Sequence, residues 1–164
     1  MSKPVCLVTA PVATRSGYGA HSRDIVRALV KLDKYDVKIW NVRWGNCSMN
    51  ALNKDDPNDK LILDRMLQQP KLDVQPELHI HIVIPNEFQT FGKYNIGITA
   101  GLEKTACPPE WVQGMNKMDM NIVPSTFVKD VMNNVTFNIN DKQTNQPSGQ
   151  LKVEKPIEVL FEGV

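Results

Sequence analysis

The residues Ser16 to Gly19 form the first pattern in the chain that could do chemistry. The order Ser-Gly-Tyr-Gly follows an apolar run, Val5 to Ala10, and precedes a stretch whose apolar residues recur at spacings of three and four. This order predicts a strand, a loop with two glycines, and a helix. Glycine lets a backbone approach a ligand closely, and the first N–H groups of a helix attract anions. The pattern favours a phosphate-binding loop, although a plain strand-to-helix turn would also use glycines.

The loop matches neither of two common nucleotide-binding motifs. Ser22 stands where the dinucleotide-binding pattern would need a third glycine, and the chain has no Gly-Lys-Ser or Gly-Lys-Thr sequence. The next predicted strand ends in Asn41-Val42-Arg43, without an acid that could bind a ribose. These differences disfavour a nucleotide-binding oxidoreductase.

Length and charge exclude several classes of protein. The chain has 164 residues, enough for one domain with a core, and its net charge of +1 gives no electrostatic argument for a nucleic-acid binder. No apolar stretch approaches the length of a membrane span. The three cysteines are widely spaced in no metal-binding pattern, Cys6 is expected to be a buried apolar residue, and no signal peptide precedes the first strand. We therefore expect a cytoplasmic protein.

Strands and helices alternate along the predicted chain. Predicted strands cover Val5–Ala10, Val37–Val42, Leu78–Ile84, Tyr94–Ala100, Met120–Val123 and Ile157–Phe161. Helices are predicted after the glycine loop, from Lys60 to about Gln69 with Asp59 as N-cap, from Pro108-Pro109 to Met118, and from Thr126 to about Asn133 with Ser125 as N-cap. This alternation predicts an α/β fold with a mostly parallel sheet and helices on both faces. The polar stretch from about 134 to 155 is expected to be an exposed insertion or a hairpin.

Ligands of such sheets bind beyond the carboxyl ends of the strands. Four segments are predicted to lie at that edge: Pro11 to Ala20, Trp44 onward, Pro85 to Phe91, and Gly101 to Cys107.

Several motifs occur in the order and spacing of a known family. They are Ser16-Gly17-Tyr18-Gly19-Ala20-His21-Ser22, Pro85-Asn86-Glu87-Phe88, Asn95 to Ala100 followed by Glu103, Pro108-Pro109-Glu110-Trp111, Met118-Asp119, Val123-Pro124-Ser125 with Phe127-Val128, and Glu162-Gly163-Val164. The chain resembles the N-terminal, acceptor-side domain of a GT-B-fold glycosyltransferase of the group 1, family 4-like class. The resemblance covers nearly the whole chain, except about 44–75 and the polar insertion.

The resemblance implies one Rossmann-like domain over residues 1–164. It also implies transfer of a sugar from a nucleotide-sugar donor to an unidentified acceptor, without a further cofactor. In this family a second, C-terminal domain binds the donor, and this chain lacks it. The chain alone is therefore expected to be incomplete and inactive until that domain is supplied in cis or in trans. A non-catalytic half-domain that binds a partner or a sugar is the alternative.

The resemblance also implies roles for individual residues. The backbone from Ser16 through Gly17, Tyr18 and Gly19 would face the donor diphosphate. Glu103 would orient the acceptor hydroxyl or act as a general base, and its alternative is a salt bridge with Lys104 or Arg15.

His21, His81 and Glu87 are further candidates for the acceptor side of the cleft. His21 and Arg23 are predicted to begin the helix, where either could contact a phosphate or the acceptor. His79 and His81 share one face of a strand, but buried, hydrogen-bonded histidines are favoured over metal ligands, and no metal site is predicted.

The remaining candidates are expected to be structural. Ser125 is predicted to cap a helix, and Phe127 is predicted to lie in the core. Trp111 is also predicted to lie in the core, with sugar stacking as its alternative. Exposed edge loops would leave apolar surface that a homodimer could cover.

Overall fold

The computed structural model describes residues 1–163; Val164, which closes the Glu162-Gly163-Val164 motif, lies outside the described residues. Eight strands and four helices follow one another along the described part of the chain. In order they are β1 Val5–Ala10, α1 Gly17–Leu32, β2 Asp36–Asn41, α2 Pro57–Leu63, β3 Leu78–Ile82, β4 Tyr94–Ile98, α3 Pro109–Lys117, β5 Met120–Val123, α4 Thr126–Asn134, β6 Thr136–Asn140, β7 Pro147–Lys152 and β8 Ile157–Val159. A short 3-10 turn covers Pro85–Glu87.

Six of the strands form one sheet in the order β2-β1-β3-β4-β5-β8. Strand β1 pairs in parallel with β2 and with β3, and β5 pairs in parallel with β8. Parallel neighbours need crossover connections, which the intervening helices supply. The predicted α/β class, with a Rossmann-like parallel sheet flanked by helices, is confirmed. None of the helices in the described residues has the length and apolar character that a membrane span requires.

The chain divides into two compact units. Among the described residues, the first unit holds Met1–Val83 and Thr90–Ile96, and the second holds Ile84–Gln89 and 97–163.

The core of the first unit is built around β1. This strand has neighbours on both sides, and its residues from Cys6 to Ala10 are all buried. A central parallel strand is covered on both faces, which explains its continuous apolar run. Cys6 is fully buried, as predicted, and burial raises the pKa of its thiol to about 12 because a thiolate is poorly solvated there.

The second helix differs from its prediction. It begins at Pro57, and its N-cap is Asp56, whose Oδ1 accepts from the backbone N–H of Asn58 at 2.8 Å. Proline suits the first helical position because its missing N–H would lack an acceptor there. The predicted start at Lys60, with Asp59 as cap, is therefore wrong.

The same helix also ends early, at Leu63 instead of about Gln69. The chain then runs beside β2, where the N–H of Ile39 donates to the carbonyl of Arg65 at 2.9 Å and the N–H of Leu67 donates to the carbonyl of Ile39 at 2.8 Å. Residues that the sequence pattern assigned to a helix thus form backbone hydrogen bonds with the edge of the sheet instead.

In the second unit, α3 packs closely on the 3-10 turn. Gly114 of α3 lies so near this turn that an added Cβ would be 1.8 Å from the carbonyl oxygen of Pro85. Trp111 on the same helix is buried, so its predicted core position is confirmed.

Helix α4 starts as predicted, but the side chain of Phe127 is exposed and not buried in the core. Ser125 is its N-cap, and the Ser125 Oγ accepts from the N–H of Val128 at 3.2 Å. Phe127, predicted to be a core residue, is 54% exposed, so that prediction is wrong. The helical period explains the difference, because Val128, Val131 and Met132 form the buried face.

The predicted polar insertion forms a hairpin. Strands β6 and β7 pair antiparallel and, within residues 1–163, belong to no larger sheet. Nearly all of their residues are exposed.

The close approach at Gly114 gives a stability test. Replacing Gly114 with Ala should destabilise the protein by about 3 kcal/mol, because the new methyl group overlaps the Pro85 carbonyl and the backbone must move. The matched control is Gly17→Ala in α1, where an added Cβ has no atom within 4 Å and the change should stay within about 0.5 kcal/mol. Urea unfolding followed by circular dichroism measures both, and equal stabilities would contradict the packing.

Candidate functional site

The glycine segment after β1 begins the helix itself. Helix α1 starts at Gly17, and Ser16 is its N-cap, with the Ser16 Oγ accepting from the N–H of Gly19 at 2.9 Å. Both glycines therefore lie in the first helical turn, and the loop proper covers 11–16. The predicted loop with two glycines is corrected accordingly, since neither glycine has a positive φ. A serine cap three residues before its donor is a favoured way to start a helix.

The two glycines have different surroundings. A Cβ at Gly19 would lie 2.3 Å from the carbonyl oxygen of Thr14 and 3.0 Å from that of Pro11. A Cβ at Gly17 would meet no atom within 4 Å, and Gly17 is exposed. Packing thus requires a glycine at position 19, whereas nothing in the fold requires one at position 17.

Buried and half-buried hydrogen bonds hold the 11–16 loop from its inner side. The Thr14 Oγ1 donates to the Pro11 carbonyl at 2.8 Å, and Nη1 of Arg23 donates to the carbonyls of Val12 and Thr14, each at 2.9 Å. The pKa of Arg23 is lowered, mainly by burial and next by the nearby charge of Arg27. The guanidinium therefore stabilises the loop by binding two of its backbone carbonyls.

His21 and Arg23 were predicted to begin the helix, but they lie in its second turn because the helix starts at Gly17. His21 is half-buried there.

A second segment, residues 44–51, lies along the loop. The N–H of Arg15 donates to the carbonyl of Ser48 at 2.9 Å, and the N–H of Ala51 donates to the carbonyl of Ala13 at 3.0 Å. The Nε of Arg15 also donates to Oδ1 of Asn50 at 2.8 Å. Two of the segments predicted to share an edge are thus brought together.

An aromatic pair joins the 44–51 segment to the first turn of α1. The rings of Tyr18 and Trp44 stack with centroids 4.0 Å apart and planes 22° apart. Sequence reasoning missed this pair, since no spacing rule relates residues 26 positions apart; only their common place after β1 and β2 could have suggested it.

Asp59 connects α2 to α1. It is buried, and its Oδ1 accepts from Nη2 of Arg27 at 2.7 Å, while its Oδ2 accepts from the N–H of Asn53 at 2.9 Å. This carboxylate fixes the chain that follows the 44–51 segment. The sequence Asp56-Pro57 was the signal that could have identified Asp56, and not Asp59, as the N-cap of α2.

The two strand histidines are buried, as predicted. His79 is fully buried, its Nε2 lies 2.9 Å from the Thr9 Oγ1, and its Nδ1 accepts from the N–H of Phe91 at 3.4 Å. His81 is 4% exposed, and its ring centroid lies 5.4 Å from that of His79. The described residues hold no group of three or more His, Cys, Asp or Glu side chains that could bind a metal ion.

The two candidate acids belong to the second unit. Glu103 is exposed in the segment after β4, two residues beyond Gly101, whose φ of 80° is accessible mainly to glycine. Within residues 1–163 Glu103 forms no ion pair. Glu87 is exposed in the 3-10 turn.

The first unit also has an open groove at the opposite ends of its strands. Its volume is about 870 Å³, and its lining includes Lys3, Tyr35, Val74, Lys93 and Tyr94. These residues lie near the amino ends of β1 and β3, whereas ligands of parallel sheets bind at the carboxyl ends. We therefore place the candidate site at the start of α1 and not in this groove.

Comparisons with known proteins identify no relative: no family model matches the chain, and neither a curated protein nor a solved structure matches it. The glycosyltransferase assignment and the roles of the site residues stay predictions.

The stabilisation of the 11–16 loop by Arg23 can be tested. The Arg23→Met variant loses two hydrogen bonds to carbonyls, and should be destabilised by about 2 kcal/mol, since a charged donor contributes more than a neutral one. Amide hydrogen exchange at Val12 to Ser16 should accelerate more than exchange in β2. Lys31→Met, an exposed position of the same helix, is the control and should change neither measurement. Unchanged exchange in the loop would show that Arg23 does not support it.

Proposed function

We propose that this chain is the acceptor-side half of a nucleotide-sugar glycosyltransferase, and that the first turn of α1 stabilises the donor diphosphate. The observation that carries the proposal is the open first turn of α1 at Gly17, which the 11–16 loop joins to the carboxyl end of strand β1.

The charge at this turn suits an anion. Helix α1 has 16 residues and no acidic side chain in its first turn, while α2 and α3 carry Asp59 and Glu110 in theirs. Acidic residues at that position usually offset the positive end of the helix dipole. The positive end of α1 is therefore left for a ligand, although α4 shares the lack of an acid.

The rigidity of the loop supports the same role. Donors that already point at the leaving group stabilise its developing charge without a cost of reorganisation. Arg23 and Thr14 hydrogen-bond to carbonyls of the 11–16 loop, and the Ser16 Oγ accepts from the N–H of Gly19 in the first turn. The missing side chain at Gly17 leaves space for a phosphate to approach that backbone.

Glu103 is proposed as the acid that receives the proton of the acceptor hydroxyl, or that orients this hydroxyl in a retaining reaction. An exposed carboxylate without an ion-pair partner among residues 1–163 is accessible to a substrate. The salt bridge with Lys104 or Arg15 that could have explained this acid is not formed; Nε of Arg15 donates instead to Asn50.

The phosphate role predicts the effect of filling the space at Gly17. In the gene product that contains this chain, Gly17→Val should lower kcat/KM by about 100-fold or more, the usual cost of losing one donor to a developing oxyanion. The measurement is release of nucleoside diphosphate from UDP-glucose, GDP-mannose and ADP-glucose, with water and with a cell extract as acceptors. Gly19 is unsuitable for this test because its Cβ would disrupt the loop.

Ala28→Val is the matched control, since it makes a similar change at an exposed position of the same helix and should leave activity within about twofold. Full activity of Gly17→Val at an equal folded fraction would refute the phosphate role. If no donor is consumed by the unmodified protein, the catalytic proposal fails and a sugar- or partner-binding half-domain replaces it.

A separate prediction concerns the acid. Glu103→Gln keeps the shape of the side chain but cannot accept a proton, and should lower kcat by about 100-fold or more if Glu103 is the base. KM for the donor should change little, since Glu103 is proposed to act on the acceptor hydroxyl and not on the diphosphate. Glu110→Gln, an exposed acid of α3, is the control. A loss of kcat in both variants, or in neither, would exclude Glu103 as the base.

A further inference from the structure

The hairpin of β6 and β7 has no part in the proposed chemistry. Its turn is held by Asp141, whose Oδ1 accepts from the N–H of Gln143 at 2.7 Å and from the N–H of Thr144 at 3.1 Å. These hydrogen bonds lower the pKa of Asp141. Two strands alone are marginally stable in water. A hairpin whose turn is held by hydrogen bonds, and which has no third strand among residues 1–163, is suited to pairing with another strand.

The outward-facing groups of β6 can be identified from two hydrogen bonds. The Ser148 Oγ of β7 donates to the carbonyl of Ile139 at 3.2 Å, so the peptide groups of Ile139 face β7. Because alternate residues of a strand point to opposite sides, the N–H and carbonyl of Asn138 face outward. On β7 the outward carbonyl of Lys152 accepts from Nδ2 of Asn116 at 2.8 Å, which agrees with this alternation.

The two outer edges of the hairpin differ. The β7 edge begins with Pro147, which has no N–H, and its other end is covered by Asn116, whose amide bonds to the backbone of both Lys152 and Glu154. The β6 edge contains no proline and no charged residue, and within residues 1–163 no backbone hydrogen bond reaches it from outside the hairpin. Proteins usually protect such edges with charges, prolines or covering elements.

We propose that β6 pairs antiparallel with β6 of a second copy of this chain, about a twofold axis at Asn138, to form a four-stranded sheet. Each Asn138 would then face its own copy, and Thr136 would face Asn140 of the second copy. These side chains share one face of the strand, and every one of them both donates and accepts hydrogen bonds. Self-pairing therefore opposes no like charges and leaves no polar side chain without a complement.

The asymmetry of the hairpin limits the assembly to two copies. A pairing about a twofold axis is closed, since both β6 edges are used up. The β7 edges that remain are blocked by Pro147 and Asn116, so a third chain cannot add. The second copy is favoured over an unrelated peptide because the uncharged edge is complementary to itself.

Sedimentation equilibrium of the full chain tests this interface. The mass should rise toward twice 18.5 kDa as the concentration increases from about 1 μM to about 1 mM. Asn138→Lys places two like charges opposite each other and should weaken the dimer at least about tenfold. Gln150→Lys is the matched control: it lies directly opposite Asn138 in the hairpin, on the other edge, and should leave the dimer unchanged.

A crosslinking experiment gives a second, independent readout. In a Cys47→Ser background, Asn138→Cys should give a disulfide-linked dimer on mild oxidation, because the twofold axis brings the two introduced thiols together. Gln150→Cys should not. A mass of 18.5 kDa at every concentration, a larger effect of Gln150→Lys than of Asn138→Lys, or species larger than a dimer would each overturn the proposal.

Discussion

The start of α1 depends on one contact that only glycine permits. At Gly19 the helix passes so close to the carbonyl oxygens of Thr14 and Pro11 that any side chain would displace them. That approach lets Arg23, one turn further along the helix, reach back to the carbonyls of Val12 and Thr14. The loop between β1 and α1 is then held by half-buried polar contacts, and the backbone of the 44–51 segment hydrogen-bonds to this loop.

This arrangement separates two roles that one motif seemed to combine. A Ser-Gly-Tyr-Gly sequence is compatible with tight packing and with ligand binding, because both favour small residues. The structure assigns packing to Gly19 and leaves Gly17 without any neighbour that would explain it. Since an exposed glycine at the first position of a helix gains nothing from the fold, the functional interpretation now depends on Gly17 and its backbone, and no longer on the pair.

Local signals predicted much of the fold. Strand β1 matched its prediction because a continuous apolar run between two turn signals is typical of a central strand, and Ser125 was found because a capping serine acts on its own helix. The errors arose where distant parts of the chain compete. Arg65 and Leu67 continue a helical pattern, but β2 offers them backbone hydrogen bonds that the sequence could not reveal. Phe127 looked like a core residue from its type alone, while the buried face of α4 is set by packing.

The position of the candidate site rests on a topology rule, whereas the contacts that build it could not be predicted from the sequence. The topology rule places ligands after the strand ends, so residues 11–20 could be selected without coordinates. The hydrogen bonds of Arg23 to this loop could not be predicted from the sequence, because its guanidinium bonds to main-chain carbonyls, which every residue type has. For the same reason the stacking of Tyr18 on Trp44 left no trace in either sequence segment. Contacts that use the backbone or a ring face do not require a particular residue type in the partner, so they cannot be recognised from sequence. In this loop they are the contacts that hold the backbone in place. A site that relies on backbone donors is therefore recognised in a sequence only by its glycines. The structure then shows, from the atoms around each glycine, which glycine the packing requires and which it does not.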